Sequence, residues 1–101
     1  MDPERISDFN ISDVVKATAG RDQGELFYVI AQEENYLLLA NGKDRTLDRP
    51  KRKKCKHVQK VLRSETRVAD KLRLGDKVLN SELRRDLAFH AGQMQENNLG
   101  G

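Results

Sequence analysis

The chain has 101 residues, about one ordinary domain, with 35% charged against 37% hydrophobic residues and a mean hydropathy of −0.78. Its longest apolar run, residues 26–31, falls far short of the roughly 18 residues of a membrane span, residues 1–5 lead into no apolar signal core, and one cysteine cannot build a disulfide framework. A soluble cytoplasmic module is expected, too small for a deep catalytic cavity and suited to binding.

Residues 1–11 carry no sustained period and are expected to form a flexible lead-in. A strand pattern starts at Asp13, runs through Val14, Val15, Lys16, Ala17 and Thr18, and stops at AGRDQG, where Gly20 and Gly24 bracket polar residues. Residues 25–32, ELFYVIAQ, are rich in the aromatic and β-branched residues that suit a strand. Leu26, Tyr28 and Ile30 fall on one face and Phe27, Val29 and Ala31 on the other. Both faces are apolar, so one is expected to line a barrel core and the other to be covered by another element.

Glu33-Glu34-Asn35 reads as a polar turn and residues 36–40, YLLLA, as the third strand. Asn41-Gly42 is the strongest short-range hairpin signal in the chain, because a type I′ turn needs positive φ at both central residues. The returning strand is expected at 43–47, KDRTL, ended by Pro50. Val58, Val61 and Leu62 then close the sheet as a fifth strand. The pattern predicts a mainly β protein, a small bent antiparallel barrel over 12–63.

After Ser64 the period becomes helical, with two short helices expected within 64–92. Residues 66–74 place Val68, Ala69 and Leu72 on one face before Gly75-Asp76 breaks the pattern. Asn80 or Ser81 is expected to cap the second helix, with Glu82 in its first turn and Gly92 just past its end. Leu79, Leu83 and Leu87 recur every four residues as one apolar stripe. The tail, 93–101, has no period and is expected to be disordered.

The formal net charge is +3, but its layout is uneven. Residues 1–50 hold six basic and ten acidic side chains, a net of −4; residues 51–60, KRKKCKHVQK, hold six basic and none acidic; residues 61–101 hold seven and six, a net of +1. Like charges packed this densely call for a polyanion, and a phosphate backbone is the natural one. Lys51, Arg52, Lys53, Lys54 and Lys56 are the first candidates for RNA contact; Lys43, Arg45 and Arg49 extend the run backward, interrupted by Asp44 and Asp48. Strand alternation sends Lys51, Lys53 and Cys55 one way and Arg52, Lys54 and Lys56 the other. Both faces cannot be core, so part of the run is expected to be a loop lying along phosphates.

His57 is placed either against a base or phosphate or in a structural hydrogen bond at the strand start. Cys55 and His57 form a C-x-H pair, but one cysteine and two histidines cannot complete a four-ligand zinc site without carboxylates, so no metal is expected. Cys55, among cations, is expected to be prone to oxidation, and His90, beside the leucine stripe, to be structural. Phe27, Tyr28, Tyr36 and Phe89 lie in segments apart from the basic run, which favours backbone and shape readout of folded RNA over stacking on bases. GxxxxGK, HExxH and GxSxG are all absent, so no enzyme, cofactor or small-molecule substrate is expected.

Residues 14–30 resemble a KOW motif: a strand, a loop whose glycine falls at the eleventh position (Gly24, counting from Val14), and a strand of alternating apolar residues. The loop text AGRDQG is similar to that family's "a-G-r/k-d-x-G" run. The continuation through Asn41-Gly42, Arg45-Thr46-Leu47, RPKRK and Lys56-His57-Val58 resembles the KOW-type large-subunit ribosomal proteins (the L-fourteen-e type), and more closely a group of bacterial KOW-domain RNA-binding proteins whose C-terminal portion is similar to 66–91. The likeness covers residues 12–62, half the chain. It implies an SH3-like barrel that binds ribosomal or other structured RNA as a ribonucleoprotein component in translation, with Arg21 at the loop tip among the contacts. A second function class also fits the residues: a protein-interaction adaptor using the barrel and the Leu79-Leu83-Leu87 stripe, with the basic run serving solubility.

Overall fold

The structure is a computed structural model that describes residues 8–100, with side chains through Met94. Five strands, β1 (Asp13–Ala17), β2 (Leu26–Glu33), β3 (Tyr36–Ala40), β4 (Lys51–Lys54) and β5 (Val58–Arg63), precede two helices, α1 (Arg67–Leu74) and α2 (Asn80–Gly100). The strands form one antiparallel sheet in the order β4-β3-β2-β1-β5. β4 and β5 follow one another in the chain yet are the two ends of that order, joined only by a one-turn 3-10 helix, Cys55–His57. Three residues at about 2 Å rise each cannot cross a flat five-stranded sheet about 19 Å wide, so the sheet has to roll up. Register shifts between Val14 and Val15 and between Val29 and Ala31 supply local bends. The 3-10 turn ties the roll together: Cys55 N–H donates to the Asn35 carbonyl (3.1 Å), and Thr18 N–H donates to the His57 carbonyl (2.9 Å).

The doubly apolar second strand behaves as its pattern predicts. Phe27 and Val29 join Phe9, Val15, Ala17, Leu37, Leu39, Cys55 and Val58 in one core, inside the roll. Tyr28 faces the other way and packs with Val14, Ala40, Ala69, Leu83 and Leu87, where α1 and α2 cover the sheet. Beneath the helices runs a buried polar network. The Tyr28 hydroxyl bonds to Ser64 Oγ (2.8 Å), Asp86 Oδ2 and His90 Nε2 (3.2 Å); Ser64 Oγ also meets His90 Nε2 (3.0 Å), and Thr66 Oγ1 donates to Asp86 Oδ2 (2.8 Å). Burial, then the bond to Asp86, pushes the Tyr28 hydroxyl far above its ordinary pKa. The network ties α2 to the sheet and to the α1 N-terminus, where Thr66 Oγ1 caps Ala69 N–H.

Several boundaries differ from the sequence pattern. The lead-in is docked from residue 8 onward: Phe9 is 2% exposed, and its carbonyl accepts from the Gln32 side-chain amide. Residues 1–7 of that lead-in lie outside the described residues. Residues 43–47 form no strand; β3 is paired instead by β4, in the register Tyr36↔Lys54 to Leu39↔Lys51. Asn41-Gly42 is not a type I′ hairpin, because only Gly42 has positive φ (77°). The tight two-residue turn is at Glu34-Asn35, with Glu34 at φ 50°. Asn41 Oδ1 accepts from Lys43 N–H and Arg45 N–H, which coils the chain into a loop. α1 ends at Gly75 (φ 75°) as expected. α2 continues through Gly92 to Gly100, so 93–100 extends the helix instead of leaving it. Asn80 does not cap α2; its Oδ1 accepts from Leu47 N–H (2.8 Å), and Glu82 Oε1 reaches back to Leu79 N–H.

Candidate nucleic-acid interface

The basic decamer is ordered structure rather than a loop. Pro50 leaves Arg49 little choice but an extended backbone, and β4 then pairs residue by residue with β3. Partners in an antiparallel ladder share a face, so Arg52 and Lys54 stand with Leu38 and Tyr36 on the outer surface, both exposed. Lys51 and Lys53 stand with Leu39 and Leu37 on the inner side and are half-buried. Their aliphatic stems cover the rim of the core while the ammonium groups reach outward. Lys53 Nζ donates to the Ala19 carbonyl (2.8 Å), which fastens the β1–β2 loop to β4.

Lys56 is exposed on the 3-10 turn. Cys55 is buried in the inner core, shielded from the oxidation its neighbours suggested. His57 is half-buried, and its backbone carbonyl is the acceptor for Thr18 N–H. Among the described residues, no carboxylate forms an ion pair with Lys51, Arg52, Lys53, Lys54 or Lys56.

The backward extension of the run is different in kind. Asp22, Glu25 and Asp44 bring carboxylate oxygens within 4.8 Å of one another. Arg45 lies 3.9 Å from Asp22, and Lys43 acts on both Glu25 and Asp44. Desolvation, followed by the charges of Asp44 and Asp22, holds Glu25 above the usual carboxylate range. Asp44 is held below it, first by the Asn41 side-chain amide, and Asp48 likewise, first by Thr46 and then by its backbone hydrogen bond, with Arg49 adding a smaller effect. Arg45 therefore faces a carboxylate at ion-pair distance, Lys43 and Arg49 lie in the field of neighbouring carboxylates, and the loop is anchored from behind by α2. Arg84 donates to the Gly42 carbonyl (2.6 Å), and a Cβ on Gly42 would lie 2.3 Å from the Asn80 carbonyl oxygen.

Gly20 and Gly24 both have positive φ (85° and 89°), so the loop conformation does require glycine there. A close neighbour exists only at Gly20, where Lys53 Nζ would stand 3.2 Å from an added Cβ; nothing approaches Gly24. Arg21 is exposed on this loop, two residues beyond the carbonyl that holds Lys53. The structure thus places Arg21 and the β4 cations around one edge, and sets Lys43, Arg45 and Arg49 on a loop that also carries Asp44 and Asp48, with Arg45 paired to Asp22.

One residue of the candidate interface escapes the sequence pattern. Tyr36 is directly opposite Lys54, and the Arg52 guanidinium carbon stands 4.0 Å from its ring centroid. An aromatic therefore lies inside the basic patch, against the expectation that the aromatics lie away from it. A strand at 43–47 would have hidden this, since it pairs Tyr36 with Leu47. Ser64, Asp86 and His90, although within contact distance, do not make a nucleophile relay: Ser64 is 0% exposed, and both it and Asp86 address the same nitrogen, Nε2. Comparison with the profiles of known protein families and with curated proteins finds no match to this chain.

Proposed function

We propose that the protein is a non-enzymatic RNA-binding module, an SH3-like barrel of the KOW kind, that associates with ribosomal RNA or the large ribosomal subunit in the cytoplasm. The observation that carries this reading is the edge β4 and its following turn: five cations in six residues, none in an ion pair among the described residues. One or two lysines guard a sheet edge against strand addition; a run that continues past the strand to Lys56 exceeds that need. Counterion release from RNA supplies affinity, and the rigid sheet fixes the spacing of the cations against the backbone. The leucine stripe gives the adaptor reading little support, because Leu83 and Leu87 are buried against the sheet and only Leu79 of the stripe is exposed.

The test is sedimentation of tagged protein through sucrose gradients of cell lysate at low and high salt. Travel with the large subunit at low salt, with release at high salt, is the expected result. Protein that stays at the top in both gradients overturns ribosomal association.

A further inference from the structure

We infer that Tyr36 and Arg52 form a stacking platform for one unpaired nucleobase of the RNA, an inference that rests on the RNA reading above. Three observations converge on it. First, the guanidinium of Arg52 lies over the Tyr36 ring at 4.0 Å while Arg52 itself remains exposed, so a planar, weakly hydrated cation is held against the ring with its far side open. Bases stack on both tyrosine rings and arginine planes, so a base can add a layer on Arg52 or replace it on the ring. Second, the position is clear of the helices. α1 and α2 cover the end of the sheet around Val14, Tyr28 and Ala40, and Tyr36 is at the other end of β3, where it pairs with Glu33.

Third, the surrounding charges give the nucleotide a direction. Lys54 faces Tyr36 across the ladder on the β4 side and is exposed, with Lys56 just beyond. Glu33 faces Tyr36 on the β2 side and is also exposed. Phosphate is attracted to the first side and repelled from the second, so the backbone runs along β4 while the base turns inward over Tyr36. One aromatic makes a site for one base, so the matching RNA is a fold with a loop or bulge nucleotide rather than a tracked single strand.

The chain provides its own optical probe. It has no tryptophan and two tyrosines, and Tyr28 is fully buried with its hydroxyl bonded to Asp86, which leaves Tyr36 as the accessible fluorophore. Tyrosine emission and affinity are measured with two RNAs sharing one stem: a hairpin with an unpaired loop and a blunt duplex. The hairpin is expected to quench emission and the duplex to leave it unchanged. Tyr36→Leu is expected to weaken hairpin binding about tenfold or more and duplex binding less than about twofold, while Tyr36→Phe retains both. Arg52→Lys, at an exposed position that keeps its charge, is expected to weaken the hairpin selectively with the same salt dependence. If both RNAs bind the wild type but Tyr36→Leu and Arg52→Lys leave the hairpin-to-duplex ratio unchanged, the platform is wrong and the RNA reading stands. If neither RNA binds the wild type at low salt, the RNA reading fails and the platform with it.

Discussion

Residues 41–50 carry three cations and residues 51–56 carry five, and in sequence the two stretches look like one continuous ridge. In three dimensions they are opposites. Lys43, Arg45 and Arg49 are set among Asp22, Glu25, Asp44 and Asp48, and their loop is held to α2 through Gly42, Leu47, Asn80 and Arg84. Lys51 to Lys56 are on a sheet edge with no acidic partner among the described residues. A phosphate backbone responds to the local field and not to the count of basic residues, and that field is offset by carboxylates around the loop and not along the edge.

That contrast can be broken most directly by charge removal on the edge. Replacing Lys51, Arg52, Lys54 and Lys56 together by glutamine is expected to weaken RNA binding more than tenfold and to make the plot of log affinity against log salt shallower by about three units, at about 0.7–0.9 per lost contact. Lys53 is spared because it holds the Ala19 carbonyl. An unchanged slope would remove β4 from the interface. The next effect falls on stability. Gly42→Ala sets a Cβ against the Asn80 backbone at a φ of 77° and is expected to lower the melting temperature by about 5–15 °C, followed by circular dichroism. A wild-type melting temperature would show that the loop is not anchored by α2.

Smaller still is the response to neutralising exposed cations in the loop. Lys43→Gln with Arg49→Gln is expected to change RNA affinity by less than about threefold and the salt slope by less than about one unit, because neighbouring carboxylates already screen those charges. A loss equal to that of the β4 variant restores the single ridge. The smallest effect is on pH dependence. Glu25 has a folded pKa above the usual 4.5, so the native state holds that proton more tightly and stability is lost as pH rises through the window above 4.5. Glu25→Gln should therefore stabilise the protein at pH 7, by less than about 0.5 kcal/mol since the carboxylate is largely exposed, and not at pH 4. Urea titrations at the two pH values check the sign, and equal gains at both would show that the ionised Glu25 carboxylate is not the source of the effect.

Local chemistry in the sequence was sufficient for much of the fold. β1, β2, β3 and α1 follow from apolar alternation, helical spacing, the Thr66 cap and the Gly75 stop, because each depends on neighbours within a few residues. The two apolar faces of β2 also announced that a second layer would cover the sheet. The basic patch was legible as charge, and its members Arg52, Lys54 and Lys56 are indeed exposed. Lys51 and Lys53 were legible as cations but not as half-buried stems over the core rim, which depends on pairing with Leu39 and Leu37.

What only the tertiary structure decided was which segment pairs with β3. Asn41-Gly42 and a short alternating run are sufficient local grounds for a hairpin, yet Asn80 claims the Leu47 N–H, Arg84 claims the Gly42 carbonyl, and the close approach of α2 needs the bare glycine. Those groups are some forty residues away in the chain, so no local pattern registers them. Their effect is to hand the edge of β3 to KRKK, which puts Lys54 opposite Tyr36 and Arg52 over its ring. The sequence by itself determined that the protein has a basic strand-sized segment; long-range hydrogen bonds determined that the segment is an edge with an aromatic in its midst.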